Sequence, residues 1–260
     1  MNLANKIVLV TRPLHQALEF MQQIEQHGGK ALSFPSIEIQ QIDLDSSLAS
    51  VLTNINSYDM LIFISANAVN HCVSLLQKLK ISPQEITANV AVSGKATGTA
   101  ATSAGFVVSI QSDSGFNSDA LLALPVLQGE QLRAKRILIV RGLGGLEQLT
   151  DTLTERGAEV SIAQVYVRKI PGHDVQLKRQ QLSQNWTELG ISDITVTSNE
   201  SLQNLYEMLE VPGRNEMLNT HLIVPSQRCA QLAKQLGFNA FSVAHSANNL
   251  HMLEAINNKI

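Results

Sequence analysis

The chain has 260 residues, which is enough for one or two domains at roughly 150 residues per domain. Hydrophobic residues make up 44% of it and charged residues only 16%, so it can bury a substantial core. The formal net charge of −3 excludes a net basic surface that would bind nucleic acid or anionic lipid by charge alone. The aromatic content of 4% also disfavours a platform for stacking single-stranded bases. We therefore expect neither nucleic acid nor a membrane as a partner.

The cysteines and the N-terminal segment indicate an intracellular protein. With only Cys72 and Cys229, the chain has no disulfide scaffold and no Cys-rich metal site, and both residues are expected to be buried in helices. No apolar run approaches the ~18–20 residues of a membrane span. The run at 7–10 is too short for a signal-peptide core and reads as a buried strand. A cytoplasmic location is the expectation.

Short β-branched runs alternate along the chain with segments of helical periodicity, which is typical of α/β units around parallel sheets. The periodicity of Leu149 and Leu153 predicts a helix that ends before Gly157. The predicted strands are 6–10, 31–34, 60–64, 89–92, 107–110, 136–140, 159–162, 193–196, 222–224 and 240–243.

The two halves of the chain resemble each other in the same order of segments. This repeat predicts two similar α/β lobes, each of about half the chain; one long sheet of generic βα units is the alternative. The extended segments 34–42 and 163–171 close corresponding units and are candidates for crossings between the lobes. The matched pairs are Lys6 with Lys135, Ser65 with Ser198 and Gly105 with Gly237, at offsets of 129, 133 and 132 residues.

Small polar or basic residues follow six of the predicted strands directly. In an open parallel sheet these positions border the ligand crevice, where helix N-termini offer backbone N–H groups to carboxylates or phosphates. Ordinary N-capping is the alternative for any one turn, but the basic residues among them favour anion binding. The candidate binding residues are Thr11, Arg12, Ser65, Ala66, Asn67, Ser93, Lys95, Thr97, Arg141, Gly142, Thr197, Ser198, Asn199, Ser226 and Arg228.

Motifs for cofactor, metal and hydrolase chemistry do not match. The segment Arg141-Gly-Leu-Gly-Gly lacks both the P-loop spacing and the third glycine of a dinucleotide fingerprint, so no nucleotide cofactor is expected. It is either a glycine turn that approaches an anion or a plain turn. The seven histidines match no paired ligand spacing, and G-x-S-x-G is absent. Tyr166, one of three tyrosines, is either a hydrogen-bond donor or weak acid at the site, or a packing residue.

Eight segments, taken in their order and spacing, carry a resemblance over most of the chain. They are Val10-Thr-Arg-Pro, 63–69, 92–97, 117–122, Arg141-Gly-Leu-Gly-Gly, the run from Leu149 through Arg156-Gly-Ala-Glu-Val to Tyr166, 196–201 and 224–228. Together they resemble the uroporphyrinogen-III synthase family. Two positions depart from the family pattern: Leu146 stands where an arginine often follows the glycine turn, and Val224-Pro-Ser replaces Gly-Pro-Ser/Thr.

The resemblance implies a particular organisation of the chain. One lobe would combine 1–34 with 173–260, and 42–162 would form the other. The segments 35–41 and 163–172 would be two crossing strands that join the lobes, with the active site in the cleft between them. The lobes are expected to close on the ligand, so scattering curves that superimpose with and without a substrate analogue would contradict closure.

The resemblance also implies the chemistry. The substrate would be hydroxymethylbilane, a linear tetrapyrrole with eight carboxylates, cyclised with loss of water and inversion of ring D to give uroporphyrinogen III. No cofactor is implied, Tyr166 would assist departure of the hydroxyl, and Ser65, Thr97, Ser198 and Ser226 would bind carboxylates. A monomer is expected, with possible transient contact to hydroxymethylbilane synthase (porphobilinogen deaminase).

Two other classes of protein are alternatives to this family. A two-lobed anion-binding protein of the periplasmic type also has paired α/β lobes, but the predicted cytoplasmic location argues against it. A dinucleotide-dependent oxidoreductase lacks its fingerprint in this sequence.

Overall fold

The structure, a computed structural model, describes residues 1–112, 118–145, 147–172 and 176–258. The chain divides into two compact units: unit 1 comprises residues 1–38 and 169–260, and unit 2 comprises residues 39–168. The two crossing strands expected at 35–41 and 163–172 stay a prediction. Residues 117 and 146, which figure in the family resemblance, lie outside the described residues.

Strands and helices alternate through the described residues. The strands are β1 (Ile7–Val10), β2 (Lys30–Ser33), β3 (Glu38–Gln41), β4 (Met60–Phe63), β5 (Asn89–Val92), β6 (Val108–Gln111), β7 (Arg136–Gly142), β8 (Glu159–Lys169), β9 (Asp193–Thr195), β10 (His221–Val224) and β11 (Phe241–Val243). The helices are α1 (Leu14–Gln26), α2 (Ser46–Thr53), α3 (Ala66–Lys78), α4 (Lys95–Ser103), α5 (Ser118–Leu122), α6 (Gln148–Glu155), α7 (Gln176–Asn185), α8 (Asn199–Met208), α9 (Val211–Asn219), α10 (Gln227–Leu236) and α11 (Asn249–Asn257). Short 3₁₀ turns lie at Ile55–Ser57, Pro83–Glu85, Pro125–Leu127 and Gly129–Leu132.

Each unit is built on one sheet. In unit 1 the strand order is β11-β10-β9-β1-β2, and in the other sheet it is β3-β8-β7-β4-β5-β6. The strand pairs with a defined register are parallel in both sheets. The predicted fold class, parallel-sheet α/β with two similar lobes, is confirmed.

The strand orders also confirm the internal repeat. When β1 is matched with β7, β2 with β8 and β9 with β4, the remaining strands β10 and β11 correspond to β5 and β6, in the same spatial order. The matched glycines Gly105 and Gly237 both end a helix, with φ of 95° and 94°. Only glycine adopts this left-handed conformation without strain, which explains why the repeat retains it.

The sheets are buried on both faces, as the apolar strand runs require. In unit 2, Leu61 and Phe63 pack on one face with Cys72 of α3, whereas Met60 and Ile62 pack on the other face. Unit 1 follows the same alternation, with Leu9 on one face and Val8 and Val10 on the other. Each unit is thus a sheet covered by helices on both faces.

All ten predicted strands are present, and nine agree with the structure within two residues at each end. The exception is the strand predicted at 159–162, which continues as β8 to Lys169. β3 is not among the strands predicted from the apolar runs; it lies in the segment 35–41, which only the resemblance implied to be a strand. The predicted helix is α6, and Gly157 follows it with φ of 90°.

The two cysteines are buried and unpaired, as predicted. Burial raises the pKa of the Cys72 thiol to about 12 and that of Cys229 to about 11. Both are therefore thiols at neutral pH and act as small apolar residues in α3 and α10.

Candidate active site

The centre of the sheet in unit 2 is a topological switch point. The chain proceeds from β4 outward through β5 to β6, returns to form β7 beside β4, and then continues outward on the other side to β8. Ligands of open α/β sheets bind outside the carboxyl ends of the strands at such points. Here that position is taken by Ser65, which follows β4, and by Arg141 and Gly142 at the end of β7.

Tyr166 on β8 reaches this switch point. Its hydroxyl lies 3.2 Å from Oγ of Ser65, and its side chain is only 2% exposed. The backbone carbonyl of Tyr166 accepts a hydrogen bond of 2.8 Å from the N–H of Leu143, which fixes the glycine turn beside the ring. The structure therefore places Tyr166 both in the core of unit 2 and at the end of the central strands.

Gly142 allows this close approach. A Cβ atom on Gly142 would lie 2.7 Å from two carbons of the Tyr166 ring and 3.1 Å from its hydroxyl oxygen. Because real Cβ contacts are longer, only glycine fits between the end of β7 and the ring. The reason for this glycine is therefore the aromatic ring on the neighbouring strand.

A cavity of about 200 Å³ opens beside the ring. Arg141, which is 6% exposed, and the exposed Arg168 place two cations on its wall. The guanidinium of Arg168 lies 6.0 Å from the centre of the Tyr166 ring. The remaining lining residues are Ile64, Ile139, Gly142, Leu143, Gly144, Gly145 and Leu149. The cavity thus combines a phenol, two guanidinium groups and the backbone of a glycine turn, a set suited to an anionic ligand.

A second, wider cavity of about 580 Å³ lies at the N-terminus of α4. Lys95 is exposed in the first turn, whereas Ser93 and Thr97 are buried. Ser93 donates to the carbonyl of Ile64 at 2.9 Å, and no side chain caps the helix, because glycine occupies the N-cap position at Gly94. The first-turn N–H groups and Lys95 therefore form a helix N-terminus suited to a carboxylate. The other lining residues are Ser65, Ala66 and Ala96.

Three of the serines predicted to bind carboxylates use their hydroxyls as N-caps. Ser65 accepts from the N–H of Ala68 at 3.1 Å. Ser198 caps α8 through the N–H of Ser201 at 3.0 Å, and Ser226 caps α10 in the same way through Cys229. A capping hydroxyl keeps its own hydrogen for donation, so capping and ligand binding are compatible at these positions.

In unit 1 the predicted residues after β1 are held by internal hydrogen bonds. Thr11 is fully buried, donates to the carbonyl of Thr195 at 2.8 Å, and lies 2.9 Å from the hydroxyl of Ser201. Arg12 donates to Asn249 at 2.6 Å and to the carbonyl of Ala247 at 2.7 Å. These two side chains fasten β1 to α8 and to the start of α11.

Burial has a further effect on Arg12. Its guanidinium lies 4.6 Å from the centre of the Phe20 ring and is 8% exposed. Desolvation lowers the pKa of Arg12 to about 10, against a smaller opposing influence of Glu19. The side chain is therefore still cationic at neutral pH.

The other predicted residues of unit 1 lie after β9 and β10. Thr197 and Asn199 are half-buried on either side of the capping Ser198, and Arg228 is exposed in the first turn of α10. In unit 2, Ala66 and Asn67 form the first turn of α3. The predicted binding residues thus lie at the ends of strands or directly after them, with Arg141 and Gly142 still inside β7, and they fall into two groups, one in each unit.

Sequence reasoning missed two residues next to Tyr166. Arg168 is two residues along the same strand and so shares its face, a signal that was available from the period of a β-strand. The ring of His71, on α3, lies 5.6 Å from the Tyr166 ring at an interplanar angle of 30°. Its place is set by the packing of α3 on the sheet, which no local pattern reveals.

The described residues contain no cluster of three or more His, Cys, Asp or Glu side chains that could hold a metal ion. Among the same residues, no helix has the length and apolar character needed to cross a membrane.

Two parallel α/β units of matching topology, with polar turns at the carboxyl ends of their strands, define a duplicated α/β protein. The family model described as "Uroporphyrinogen-III synthase HemD" matches residues 19–254. The chain therefore belongs to the uroporphyrinogen-III synthase family. Proteins of this family are cyclising lyases of tetrapyrrole biosynthesis, and the chain is an enzyme of that class.

Similar proteins and structures agree with this assignment. The chain is 33% identical to uroporphyrinogen-III synthase of Salmonella typhimurium over 255 residues, covering 96% of this chain and 99% of that protein. It is also 33% identical to the Escherichia coli protein of the same name over 251 residues, with the same coverage. At 16% and 19% identity, two solved structures support the fold alone. These are a mutant Thermus thermophilus uroporphyrinogen III synthase (TM-score 0.63, 98% of each chain covered) and a Helicobacter pylori uroporphyrinogen-III synthetase (TM-score 0.58, 98% and 97% covered).

Proposed function

We propose that the chain converts hydroxymethylbilane into uroporphyrinogen III with inversion of ring D, and that Tyr166 assists the departure of the hydroxyl group. The observation that carries this assignment is the position of the Tyr166 hydroxyl, 3.2 Å from Ser65 at the switch point of the sheet in unit 2. Family membership supplies the reaction, and the cavity beside the ring supplies the space for the reacting end of the substrate.

Ser65 orients the phenol. Its oxygen already accepts the N–H of Ala68, so its own hydrogen is available for the oxygen of Tyr166. With that bond made, the phenolic hydrogen turns away from Ser65 and toward the cavity. Tyr166 then donates to the leaving hydroxyl of the substrate, while the lone pair of the adjacent pyrrole nitrogen expels it as water.

The remaining steps need positioning more than chemical groups. Loss of water leaves an electrophilic azafulvene, which ring D attacks at its substituted carbon to give a spiro intermediate. Fragmentation and reclosure then invert ring D. Because hydroxymethylbilane also closes spontaneously without inversion, the enzyme must hold it so that the inverting closure is faster.

The polar turns bind the carboxylates of the substrate. The N-terminus of α4 with Lys95 and Thr97 is one such site, and the guanidinium groups of Arg141 and Arg168 form another. In unit 1, the turns at Ser198 and Ser226 present helix N-termini, the second beside the exposed Arg228. Thr11 and Arg12 support these turns from within the unit.

The instability of the substrate bears on the partner of the enzyme. Since free hydroxymethylbilane is lost to the uninverted isomer, transient contact with hydroxymethylbilane synthase (porphobilinogen deaminase) would favour correct closure. We place the enzyme in the cytoplasm, acting as a monomer.

The proposed function is tested by supplying hydroxymethylbilane generated in situ, oxidising the products and separating the isomers. We expect type III to predominate with the protein present and type I to predominate in its absence. If only type I forms in both samples, the chain is not a synthase.

Replacing Gly142 by alanine should displace Tyr166. The added Cβ would lie 2.7 Å from the ring, so the ring or β7 must shift, and such overpacking costs about 2 kcal/mol in the free energy of unfolding. Formation of type III should fall along with the loss of stability, because the phenol leaves its position. Chemical denaturation and the isomer assay measure the two effects.

Gly172→Ala is the matched control. No atom of the described residues lies within 4 Å of a Cβ added at Gly172, and its φ is not left-handed, so this variant should match the wild type in both measurements. Wild-type stability and rate in Gly142→Ala would show that the contact between Gly142 and the ring does not matter.

A further inference from the structure

Three hydrogen-bonded side chains form a row in unit 1, starting at the amino ends of β9 and β10, opposite to the polar turns at the carboxyl ends. Asp193 begins β9 and His221 begins β10, and the parallel register sets them side by side. Oδ1 of Asp193 lies 2.8 Å from Nδ1 of His221, and Nε2 of His221 lies 2.9 Å from Oγ of Ser242 on β11. This carboxylate–imidazole–hydroxyl order is the arrangement that activates a serine nucleophile.

The hydrogen bonds define the role of each group. A carboxylate only accepts, so Nδ1 of His221 carries the hydrogen that faces Asp193. In the neutral ring, Nε2 is then the acceptor for the Ser242 hydroxyl. Burial by itself would raise the pKa of the Asp193 carboxyl, but hydrogen bonds from His221, Ser192 and Lys6 outweigh it and hold this pKa below its ordinary value.

The serine faces a cavity of about 460 Å³ between β11 and α11. Ser242 is half-buried, whereas Asp193 is 0% and His221 6% exposed, so the acid and the base are shielded while the hydroxyl borders open space. Phe241, Ala244 and Ala255 supply apolar wall, and His245 and His251 supply polar wall. The volume suits a small acyl group.

Unit 2 has the same topology as unit 1 and shows that the fold does not require these three hydrogen-bonded side chains. The positions that match Asp193 and His221 are Met60 and Asn89, which are paired in the same register. On the matching strand β6, the position that corresponds to Ser242 is Ile110, which pairs with Ala91 as Ser242 pairs with Ile223. The neighbouring Ser109 donates to the backbone carbonyl of Val90 at 3.3 Å. Unit 2 therefore has none of the three groups at the matching positions.

We propose that Ser242 is a nucleophile, activated by His221 and Asp193, that accepts acyl groups from small activated esters. Oγ of Ser242 attacks the ester carbonyl and His221 takes its proton. The bond between the carbonyl carbon and the alkoxy oxygen breaks, and the departing alcohol receives the proton from His221. Attack by water on the acyl-serine, with His221 again as base, releases the acid and restores the hydroxyl.

The test uses an alkyl fluorophosphonate on the full-length wild-type protein. Attack by Ser242 forms a P–O bond and expels fluoride, so intact mass should show one adduct per chain, and peptide mapping should place it on Ser242. p-Nitrophenyl acetate should release a stoichiometric burst of p-nitrophenolate. An adduct on another residue, or no adduct, overturns the proposal. Because this experiment uses only the wild-type protein, its result does not depend on the folding of a variant.

Variants distinguish a Ser242 hydroxyl that is activated by His221 from one that is merely exposed to the reagent. Ser242→Ala should abolish labelling, and His221→Asn should slow it about 100-fold, the usual contribution of a general base. Ser109→Ala is the matched control on the equivalent strand and should label like the wild type. Circular dichroism confirms that each variant is folded. Equal labelling of wild type and folded His221→Asn would show that Ser242 is exposed but not activated, which contradicts the proposal.

Discussion

Replacing Tyr166 by phenylalanine is expected to lower the rate of type III formation about 100-fold, because one positioned donor to the leaving hydroxyl is lost. The ring packs in the core of unit 2 and is 2% exposed, and phenylalanine preserves that packing. Among the described residues, the hydrogen bond that is removed is the one between the hydroxyl and Oγ of Ser65, at 3.2 Å. Initial rates with hydroxymethylbilane generated in situ, followed by isomer separation, measure the effect.

Tyr58→Phe provides the control for this experiment. Tyr58 is also a core residue of unit 2, 8% exposed, but it lies just before β4, at the end of the sheet remote from the cavity. This variant should keep the wild-type rate. Full activity in Tyr166→Phe would remove the phenol from the mechanism and leave it a packing role.

The second large effect is on stability, in Asp193→Asn. Asp193 is wholly buried, forms an ion pair of 3.0 Å with Lys6 and accepts a hydrogen bond of 2.8 Å from Nδ1 of His221, so the variant leaves both partners without a carboxylate. Breaking a buried pair from one side costs about 3 kcal/mol in the free energy of unfolding. Urea denaturation near neutral pH measures this loss.

The effect of Asp193→Asn depends on pH in a defined direction. Since the folded protein holds the pKa of Asp193 below its ordinary value, the carboxylate stabilises the fold fully above that ordinary value. Its contribution is lost as the pH falls toward and through the lowered pKa. The difference between wild type and variant should therefore shrink on acidification.

The repeat supplies the control for this variant as well. Asp59 pairs with Lys135 at 2.9 Å, but these side chains are 40% and 51% exposed. Asp59→Asn should cost less than about 1 kcal/mol, as surface pairs do. Equal losses in the two variants would show that burial does not determine the strength of the Asp193 pair.

Apolar periodicity was enough to locate the strands of the sheets. Buried strands such as β4 and β5 read as continuous apolar runs, and their boundaries follow directly. The apolar runs did not locate β3, because Glu38–Gln41 lies at a sheet edge, where a strand needs no such run. β8 extends past its predicted end because its later residues continue pairing with β7 as far as Gly142.

The site was predictable only in part. Strand ends showed where polar residues would gather, but whether Ser198 caps a helix or binds a ligand depends on geometry that the sequence does not contain. Arg12 was expected at a ligand, and its partners Asn249 and Ala247 lie more than 230 residues away in the chain. The group of Asp193, His221 and Ser242 has no motif spacing, because parallel register alone brings it together.

The placement of β1 between β9 and β2 in the sheet of unit 1 affects how the chain is assembled during synthesis. Unit 2 is one continuous stretch and can be completed once residue 168 has left the ribosome. β1 pairs with β9 across 185 residues, as in the register of Val8 with Asp193, so its second neighbour is made only after the whole of unit 2. Contacts this distant in sequence carry a large loop-closure cost and form late. β1 is the first strand to be synthesised, yet it is thus among the last to gain both of its neighbours in the sheet. Until then, its apolar residues are shielded from water by α1 and β2.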